Sequence, residues 1–200
     1  MTAYIQEIKT LSRDLDELGI QWALIGALAV SIYGDPRTTK DIDVAVVVAD
    51  KLELESIVAK LELRGYRNPQ SLMHMSPMFQ LGVRVMLPRR KPYEIPLDLL
   101  SNSSGIEREV VLAASKMEIL PSTVLPVASL GHMIAMKILS QDDGERIRDR
   151  SDLASLLRNA QSTDLELARS ALHLIEQRGF NRGRDLNEIL DRFIGLVGDS

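Results

Sequence analysis

The 200-residue chain contains no cysteine, which excludes a disulfide framework, a thiolate metal site and a cysteine nucleophile. Its formal net charge of −4 gives no overall attraction to nucleic acid, so any contact with RNA has to depend on a local basic patch. Hydrophobic residues make up 45%, yet no apolar run approaches membrane-spanning length and the N-terminus lacks the order of a signal peptide, so we expect a cytoplasmic globular protein with no membrane partner.

The first predicted elements are a helix and a short buried strand. Apolar residues repeat on one stripe of residues 2–18, which indicates an amphipathic helix. Residues 22–25 form an apolar run that predicts a strand, and Gly26 and Ala27 then open a short helical segment. The free backbone amides of such a turn, together with the positive end of the helix dipole, suit a triphosphate.

A second strand begins with two aspartates. Side chains alternate along residues 41–48, so Asp41 and Asp43 point to one face and apolar residues to the other. Aspartate is poorly suited to a strand, and two like charges this close raise each other's pKa unless a cation offsets them. The pair therefore suits a divalent metal whose shell is completed by phosphate oxygens. The alternative is that both aspartates simply lie at an exposed strand end.

The sequence around these aspartates, G-A-x-A followed by Y-G-x-P-R-T-T-x-D-I-D, resembles the first motif of the nucleotidyltransferase fold of the DNA polymerase β-like superfamily. Within that superfamily it is most similar to AbiEii-type toxins of abortive-infection and type IV toxin–antitoxin systems. Many members carry Gly-Gly or Gly-Ser where this chain has Gly26-Ala27, so a hydroxyl contact to phosphate is absent while the amide stays available. The resemblance implies that Arg37 and Thr39 help to bind the nucleotide.

The middle of the chain predicts an α/β domain with a small mixed sheet flanked by helices. Asp50 is placed to cap a helix that runs through Arg64. Its apolar contacts are expected from four residues: Leu52, Ile57, Leu61 and Leu63. Residues 79–87 and 94–100 have the pattern of two strands, whereas residues 66–77 match no element clearly and residues 106–127 favour further short strands.

Asp98 is a single carboxylate among apolar neighbours in the second of these strands. A charge there is unfavourable unless it is paired or bound to metal. Pro96 leaves open an edge strand with one solvated aspartate. The family resemblance favours a third metal ligand instead, since the family's third carboxylate lies on a later strand in a similar apolar setting. It therefore implies a catalytic triad of Asp41, Asp43 and Asp98 around Mg²⁺ or Mn²⁺.

Two motifs follow in the predicted helical region. Ser129 is placed to cap an apolar helix that carries Lys137, and a later helix presents Asp149 and Asp152 on one face. Taken alone, Lys137 suits a surface lysine and the two aspartates suit an ordinary surface ion-pair face. Their order, however, resembles the AbiEii-type pattern. That pattern implies that Lys137 contacts the triphosphate and that the acidic face supports the same nucleotide site.

The change from strands to helices near Ser129 predicts two parts that share one cleft. Residues 1–128 form the catalytic core, and residues 129–200 form a helical part that completes the cleft. The last two helices are expected from residue 163 to 177 and from residue 185 to 197.

Together these observations predict a metal-dependent nucleotidyltransferase that moves a nucleoside monophosphate from an NTP to an acceptor hydroxyl, with Asp98 accepting its proton. The resemblance is compatible with a tRNA 3′ end, a protein hydroxyl or a small molecule as the acceptor, and with a toxin that has a cognate antitoxin as partner. Among these acceptors we predict an RNA 3′ hydroxyl, with tRNA as the first candidate. Two basic groups could follow an RNA backbone: Arg89, Arg90 and Lys91, and Arg178, Arg182 and Arg184.

Three alternatives remain at this point. Ala27 and the lone Asp98 also suit a degenerate module that binds a nucleotide, or a partner, without catalysis. An antibiotic or another small molecule could be the acceptor, since fold analogy does not choose among acceptors. A glycosyltransferase also uses an Asp-x-Asp pair, but only one predicted strand precedes Asp41, which makes that class a poor match.

Overall fold

The computed structural model describes residues 2–36, 38–75, 78–88, 94–120, 122–141 and 147–198. Its centre is one seven-stranded sheet. The strands are β1 (Trp22–Ile25), β2 (Ile42–Val46), β3 (Arg67–Met75), β4 (Met78–Met86), β5 (Pro96–Leu100), β6 (Ser115–Leu120) and β7 (Thr123–Val127). The helices are α1 (Thr2–Glu17), α2 (Gly26–Tyr33), α3 (Lys51–Leu63), α4 (Glu107–Leu112), α5 (Leu130–Ser140), α6 (Ile147–Asn159), α7 (Ser162–Gln177) and α8 (Leu186–Gly198).

The sheet is mixed, as predicted, and its strand order is β3-β4-β5-β2-β1-β7-β6. β2 pairs with β5 and β1 with β7 in parallel, while the other neighbours are antiparallel. β5 therefore lies inside the sheet between β4 and β2. The edge-strand alternative for Asp98 is wrong, because Pro96 occupies the first position of an interior strand, where a missing amide is tolerated.

The central strands are apolar because both faces of the sheet are covered. Every residue of β1 is buried, and β2 and β5 bury most of theirs. α1 packs on this sheet through its predicted stripe, which includes Ile8, Leu11 and Leu15. Polar side chains at the ends of these strands are consequently held by a rigid support.

α3 begins and ends close to the predicted positions. The Asp50 side chain accepts a hydrogen bond from the Glu53 amide at 2.9 Å, which confirms the cap. The predicted apolar contacts of Leu52 and Leu63 are wrong, since these side chains are 73% and 90% exposed. At 100° per residue both point away from the stripe that faces the sheet. That stripe consists of Leu54, Ile57, Val58 and Leu61.

The region of residues 106–127 contains α4 as well as strands, so the prediction of strands alone is wrong. Glu107 accepts hydrogen bonds from the Ser103 and Ser104 amides, both at 2.7 Å, and so fixes the start of this helix. The spacing Ser104-x-x-Glu107 resembles a capping box and could have indicated a helix here, although the helix begins only at Glu107, after Ile106 at the N-cap. β3 fills most of residues 66–77, for which the sequence predicted no element.

The four C-terminal helices follow the last strand. Ser129 stands at the N-cap of α5, but its hydroxyl hydrogen-bonds His132 Nδ1 at 2.8 Å and caps no amide. α7 begins slightly earlier than predicted, whereas Asp185 caps α8 as predicted through the Glu188 amide at 2.8 Å. That these helices form a part separate from residues 1–128 stays a prediction. In the described ranges, every helix is too short or too polar to cross a membrane.

Candidate active site

The three predicted metal ligands lie on two neighbouring parallel strands. Asp43 in β2 and Asp98 in β5 are register partners, and Asp41 immediately precedes β2. One carboxylate oxygen from each of the three lies within 4.8 Å of the other two. The sheet thus brings together carboxylates that are far apart in sequence, at a distance that allows them to share a cation.

Gly26 lies directly against this cluster. β1 ends at Ile25, the register partner of Asp43, and Gly26 follows with a φ of 64°. A Cβ at this position would lie 2.0 Å from Asp43 Oδ2, so both the backbone conformation and the close approach require glycine. The sequence indicated a phosphate-binding amide at Gly26. It did not indicate the space that the carboxylate needs.

α2 begins at the same point, and among the described residues no side chain caps its first turn. Gly26 and Ala27 both line the adjacent cleft. Open amides at a helix N-terminus are suited to anionic oxygens. The predicted phosphate-binding turn therefore faces the same cleft as the carboxylates.

Arg84, which the sequence reasoning missed, completes the cluster. It lies in β4 opposite Asp98, and its Nε and Nη2 donate to Asp98 Oδ1 and Oδ2 at 2.6 and 2.7 Å. Nη2 also lies 3.7 Å from Asp41 Oδ2. Alternation along Val83-Arg84-Val85 places one charge between buried residues, but only the strand register shows that it meets Asp98.

The electrostatics of the cluster are dominated by Asp43. Burial, followed by the Asp41 and Asp98 carboxylates, raises the pKa of Asp43 to about 7, although Lys137 and Arg84 act in the opposite direction. The nearby positive charge is therefore too small to offset three carboxylates. Carboxylate oxygens are the ligands that Mg²⁺ and Mn²⁺ prefer, so these residues fit a divalent metal.

Lys137 approaches the cluster from α5. Its Nζ donates to Asp152 Oδ2 in α6 at 2.8 Å, and the two side chains are only 12% and 5% exposed. The surface-lysine alternative is wrong, as is the surface ion-pair alternative for Asp152, because packing of α5 against α6 buries the pair. Asp149 also lies in α6, but its side chain is outside the described part of the chain.

Thr39 holds a carboxylate. Its hydroxyl donates to Asp41 Oδ1 at 2.6 Å, which fixes the rotamer of that aspartate. The preceding loop is tied to α6, since the Asp35 amide donates to Ser155 Oγ at 2.6 Å. Arg37 lies outside the described residues, so its predicted contact with the nucleotide stays a prediction.

The cleft beside the cluster has a volume of about 990 Å³, which is at the upper end of the range for small-molecule sites. Its lining includes the charged residues Asp41, Asp43 and Lys137. It also includes the apolar residues Leu100, Met133 and Met136. A cleft lined by both charged groups and flexible apolar side chains can hold the phosphates and the base of a nucleotide.

The two predicted basic groups have different outcomes. Arg89, Arg90 and Lys91 lie outside the described residues. Arg178 donates to both Glu109 oxygens at 2.7 and 3.0 Å and also to the Gly105 carbonyl. Arg184 donates to the Leu139 and Gln141 carbonyls at the end of α5. Arg178 and Arg184 therefore have structural partners, and their use in RNA binding stays a prediction.

The mixed sheet with its flanking helices, and the carboxylate cluster on its central strands, are those of a nucleotidyltransferase fold. The structure of an antigenic nucleotidyltransferase-like protein from Paracoccidioides brasiliensis is similar, with 22% identity and a TM-score of 0.53 over 94% of this chain and 91% of that one. The antibiotic-resistance factor ANT(2″)-Ia is similar at 12% identity and a TM-score of 0.57, over 88% and 95% of the chains. A putative nucleotidyltransferase from H. pylori is similar at 14% identity and a TM-score of 0.50, over 96% and 91%.

The sequence profile of the nucleotidyl transferase AbiEii toxin family, of type IV toxin–antitoxin systems, matches residues 9–195. The chain therefore belongs to the AbiEii family, which confirms the predicted relationship. No curated protein matches the sequence significantly.

Proposed function

We propose that the protein is a divalent-metal-dependent nucleotidyltransferase that moves a nucleoside monophosphate from an NTP to an acceptor hydroxyl. Membership of the AbiEii family supports nucleotidyl transfer in general. The observation that carries the metal dependence is the convergence of Asp41, Asp43 and Asp98, with ligand atoms within 4.8 Å, beside an open helix N-terminus. A carboxyl with a strongly raised pKa among other carboxylates at the edge of a cleft is typical of a functional site, which favours an active site over a degenerate one.

Asp41, Asp43 and Asp98 hold the metal in this proposal. A bound Mg²⁺ or Mn²⁺ would supply neutralisation of the charge that develops on the α-phosphate and on the departing pyrophosphate. Thr39 keeps Asp41 in position through the hydrogen bond to its Oδ1. Gly26 leaves the space that Asp43 requires.

The nucleotide is bound by groups on the cleft wall. The amides of Gly26 and Ala27 bind the β- and γ-phosphate oxygens, as helix N-termini commonly do. Lys137 adds a positive charge, and Asp152 holds its ammonium in place at 2.8 Å. Leu100 and Met136, which also line the cleft, contact the base.

In the reaction, the acceptor hydroxyl oxygen attacks the α-phosphorus, the α–β phosphoanhydride bond breaks and pyrophosphate leaves. Asp98 is the proposed acceptor of the hydroxyl proton. Both Asp98 oxygens already accept hydrogen bonds from Arg84. The proton therefore has to go to a lone pair that the guanidinium leaves free, and a carboxylate has about four such positions.

The proposed acceptor is an RNA 3′ hydroxyl, with tRNA as the first candidate, and the proposed role is that of a toxin controlled by a cognate antitoxin. The family supports this role because it is a family of type IV toxins. The chain as a whole carries a net charge of −4, so it does not attract a polyanion overall. The basic segment Arg89-Arg90-Lys91 is a local concentration of positive charge and supports a polyanionic acceptor.

Incubation with each α-labelled NTP, Mg²⁺ and total cellular RNA tests the proposal. We expect label on RNA with the wild-type chain and none with a variant that carries both Asp41→Asn and Asp43→Asn. Label on a protein or small molecule alone would reject the RNA acceptor but keep the transfer reaction. No label on RNA, protein or small molecules, with correctly folded protein, would contradict nucleotidyl transfer itself.

A further inference from the structure

Arg84 spans two of the three carboxylates from the side of β4. Its fork binds both Asp98 oxygens, and the same Nη2 that donates to Asp98 lies 3.7 Å from Asp41 Oδ2. We propose that Arg84 takes the place of a second metal ion, so that this site works with one divalent metal per chain. This inference deepens the proposed function and rests on it.

The guanidinium of Arg84 already occupies the position that a second metal would need. In a two-metal site, each ion lies between carboxylates that bridge the pair at a separation of about 3.5–4 Å. Here a fixed cation already lies between Asp98 and Asp41. A second ion on that side would have to displace a bidentate, charge-assisted contact, which is the strongest type of ion pair that an arginine forms.

The sheet holds Arg84 in this position. Arg84 and Asp98 are register partners on paired strands, so the contact needs no loop movement. Val83 and Val85 on either side are buried. Because the neighbouring positions are fixed in the core, the strand holds the root of the arginine in place beside the buried Asp98 carboxylate.

The cleft shows from which side a metal that arrives with the nucleotide reaches the carboxylates. Among the described residues, Asp41 and Asp43 line the cleft and Asp98 does not. Asp98 is also buried, with 7% exposure. Asp41 and Asp43 would therefore hold such a metal from the open side of the cleft, and Asp98 would hold it from the buried side, through lone pairs that Arg84 leaves free.

Manganese binding gives a test that does not depend on turnover. Wild-type chain is mixed in equal amount with an NTP analogue that has a carbon bridge between the α- and β-phosphates, and it is titrated with Mn²⁺. The bound ions are counted from the electron paramagnetic resonance of free Mn²⁺, and the bound signal is examined for coupling between ions. We expect one bound ion with an uncoupled spectrum. Arg84→Met should double the count to two, with a coupled spectrum.

Arg169→Met is the matched control, since Arg169 pairs with Asp191 at an exposed position between α7 and α8. It should keep the wild-type count of one. Two coupled ions in the wild-type chain would overturn the inference, and so would a folded Arg84→Met chain that still binds only one. If Arg84→Met does not fold, the wild-type count alone decides. No bound Mn²⁺ in any chain would instead reject the metal site of the proposed function.

Discussion

Two poorly accessible aspartates, Asp14 and Asp43, show how different surroundings give the same side chain different roles. Asp14 in α1 is only 4% exposed, yet it accepts hydrogen bonds from Arg64 at 3.0 Å and from Tyr66 at 3.2 Å. Asp43 faces two other carboxylates, and no described residue donates a hydrogen bond to its carboxylate. Asp14 is thus satisfied by the protein, whereas the surroundings of Asp43 favour a proton or a bound cation at its carboxyl group.

The pKa values of the groups around the two aspartates differ in the same way. Burial and the Asp14 carboxylate raise the pKa of Tyr66, which keeps its hydroxyl as a hydrogen-bond donor. Around Asp43 the carboxyl itself carries the raised pKa. A buried carboxylate with its hydrogen-bond partners in place is typical of a structural position, while a half-buried carboxylate among like charges at a cleft indicates a binding site.

Substitution of the two aspartates should affect the transfer rate very differently, and this is the largest effect that we expect. Asp43→Asn should lower the transfer rate about 1,000-fold or more, since a bound metal contributes several kilocalories per mole of charge stabilisation. Asp14→Asn should keep the wild-type rate per folded molecule but lose about 1–3 kcal/mol of stability, because it disturbs buried hydrogen bonds. Labelled-NTP assays and urea denaturation measure both. A normal rate in Asp43→Asn would remove the distinction.

A second variant tests whether Lys137 has only a structural role, as Asp14 does, or also a role in binding the NTP. Lys137→Met should lower stability by about 3 kcal/mol, because it removes the ammonium that pairs with the buried Asp152 carboxylate. Adding Asp152→Asn should restore most of that loss without restoring NTP affinity. Thermal melting and calorimetry of the single and double variants measure this. Normal NTP affinity in the double variant would show that the pair is only structural.

The pH dependence of stability should reveal Asp43 directly. Its folded pKa of about 7 lies above the ordinary value of 3.8, so the folded metal-free chain keeps a proton that the unfolded chain has lost. This stabilising contribution is complete below about pH 4 and is lost as the pH rises through about 7. The free energy of unfolding, relative to Asp43→Asn, should fall by up to about 1.4 kcal/mol per pH unit in that window. Urea denaturation of both chains from pH 5 to pH 8 measures this difference in the free energy of unfolding. A difference that stays constant over this range would contradict the prediction.

The smallest effect is expected at Arg178. This side chain and its partner Glu109 are partly exposed, so Arg178→Ala should cost at most about 1 kcal/mol of stability. Transfer to RNA should stay unchanged if the contact is structural. A steep loss of RNA labelling, with a weaker salt dependence, would instead make Arg178 part of an RNA-binding surface.

Local patterns were enough to predict the first half of the site. Alternation in residues 41–48 predicted Asp41 and Asp43 on one side, and their carboxylates do lie together, although β2 itself is shorter than the predicted strand and begins only after Asp41. The turn after β1 was likewise predicted from an apolar run that ends in glycine. Both features depend on neighbours in sequence, which is why periodicity detects them.

Contacts between distant elements could not be obtained in this way. Arg84 meets Asp98 only because β4 and β5 pair in one particular register. The burial of the Lys137–Asp152 pair depends on how α5 packs on α6. Leu52 and Leu63 were placed on the wrong side of α3 because apolar residues alone do not fix the phase of a helix with a weak stripe.

Calorimetry shows whether the Asp41–Asp43 pair binds an NTP through a divalent metal. Each NTP is titrated into wild-type chain and into the Asp41→Asn, Asp43→Asn double variant, with and without Mg²⁺. We expect the wild-type chain to bind at least one NTP much more tightly when Mg²⁺ is present. The folded double variant should lose this dependence. An unchanged Mg²⁺-dependent affinity in the double variant would contradict the account.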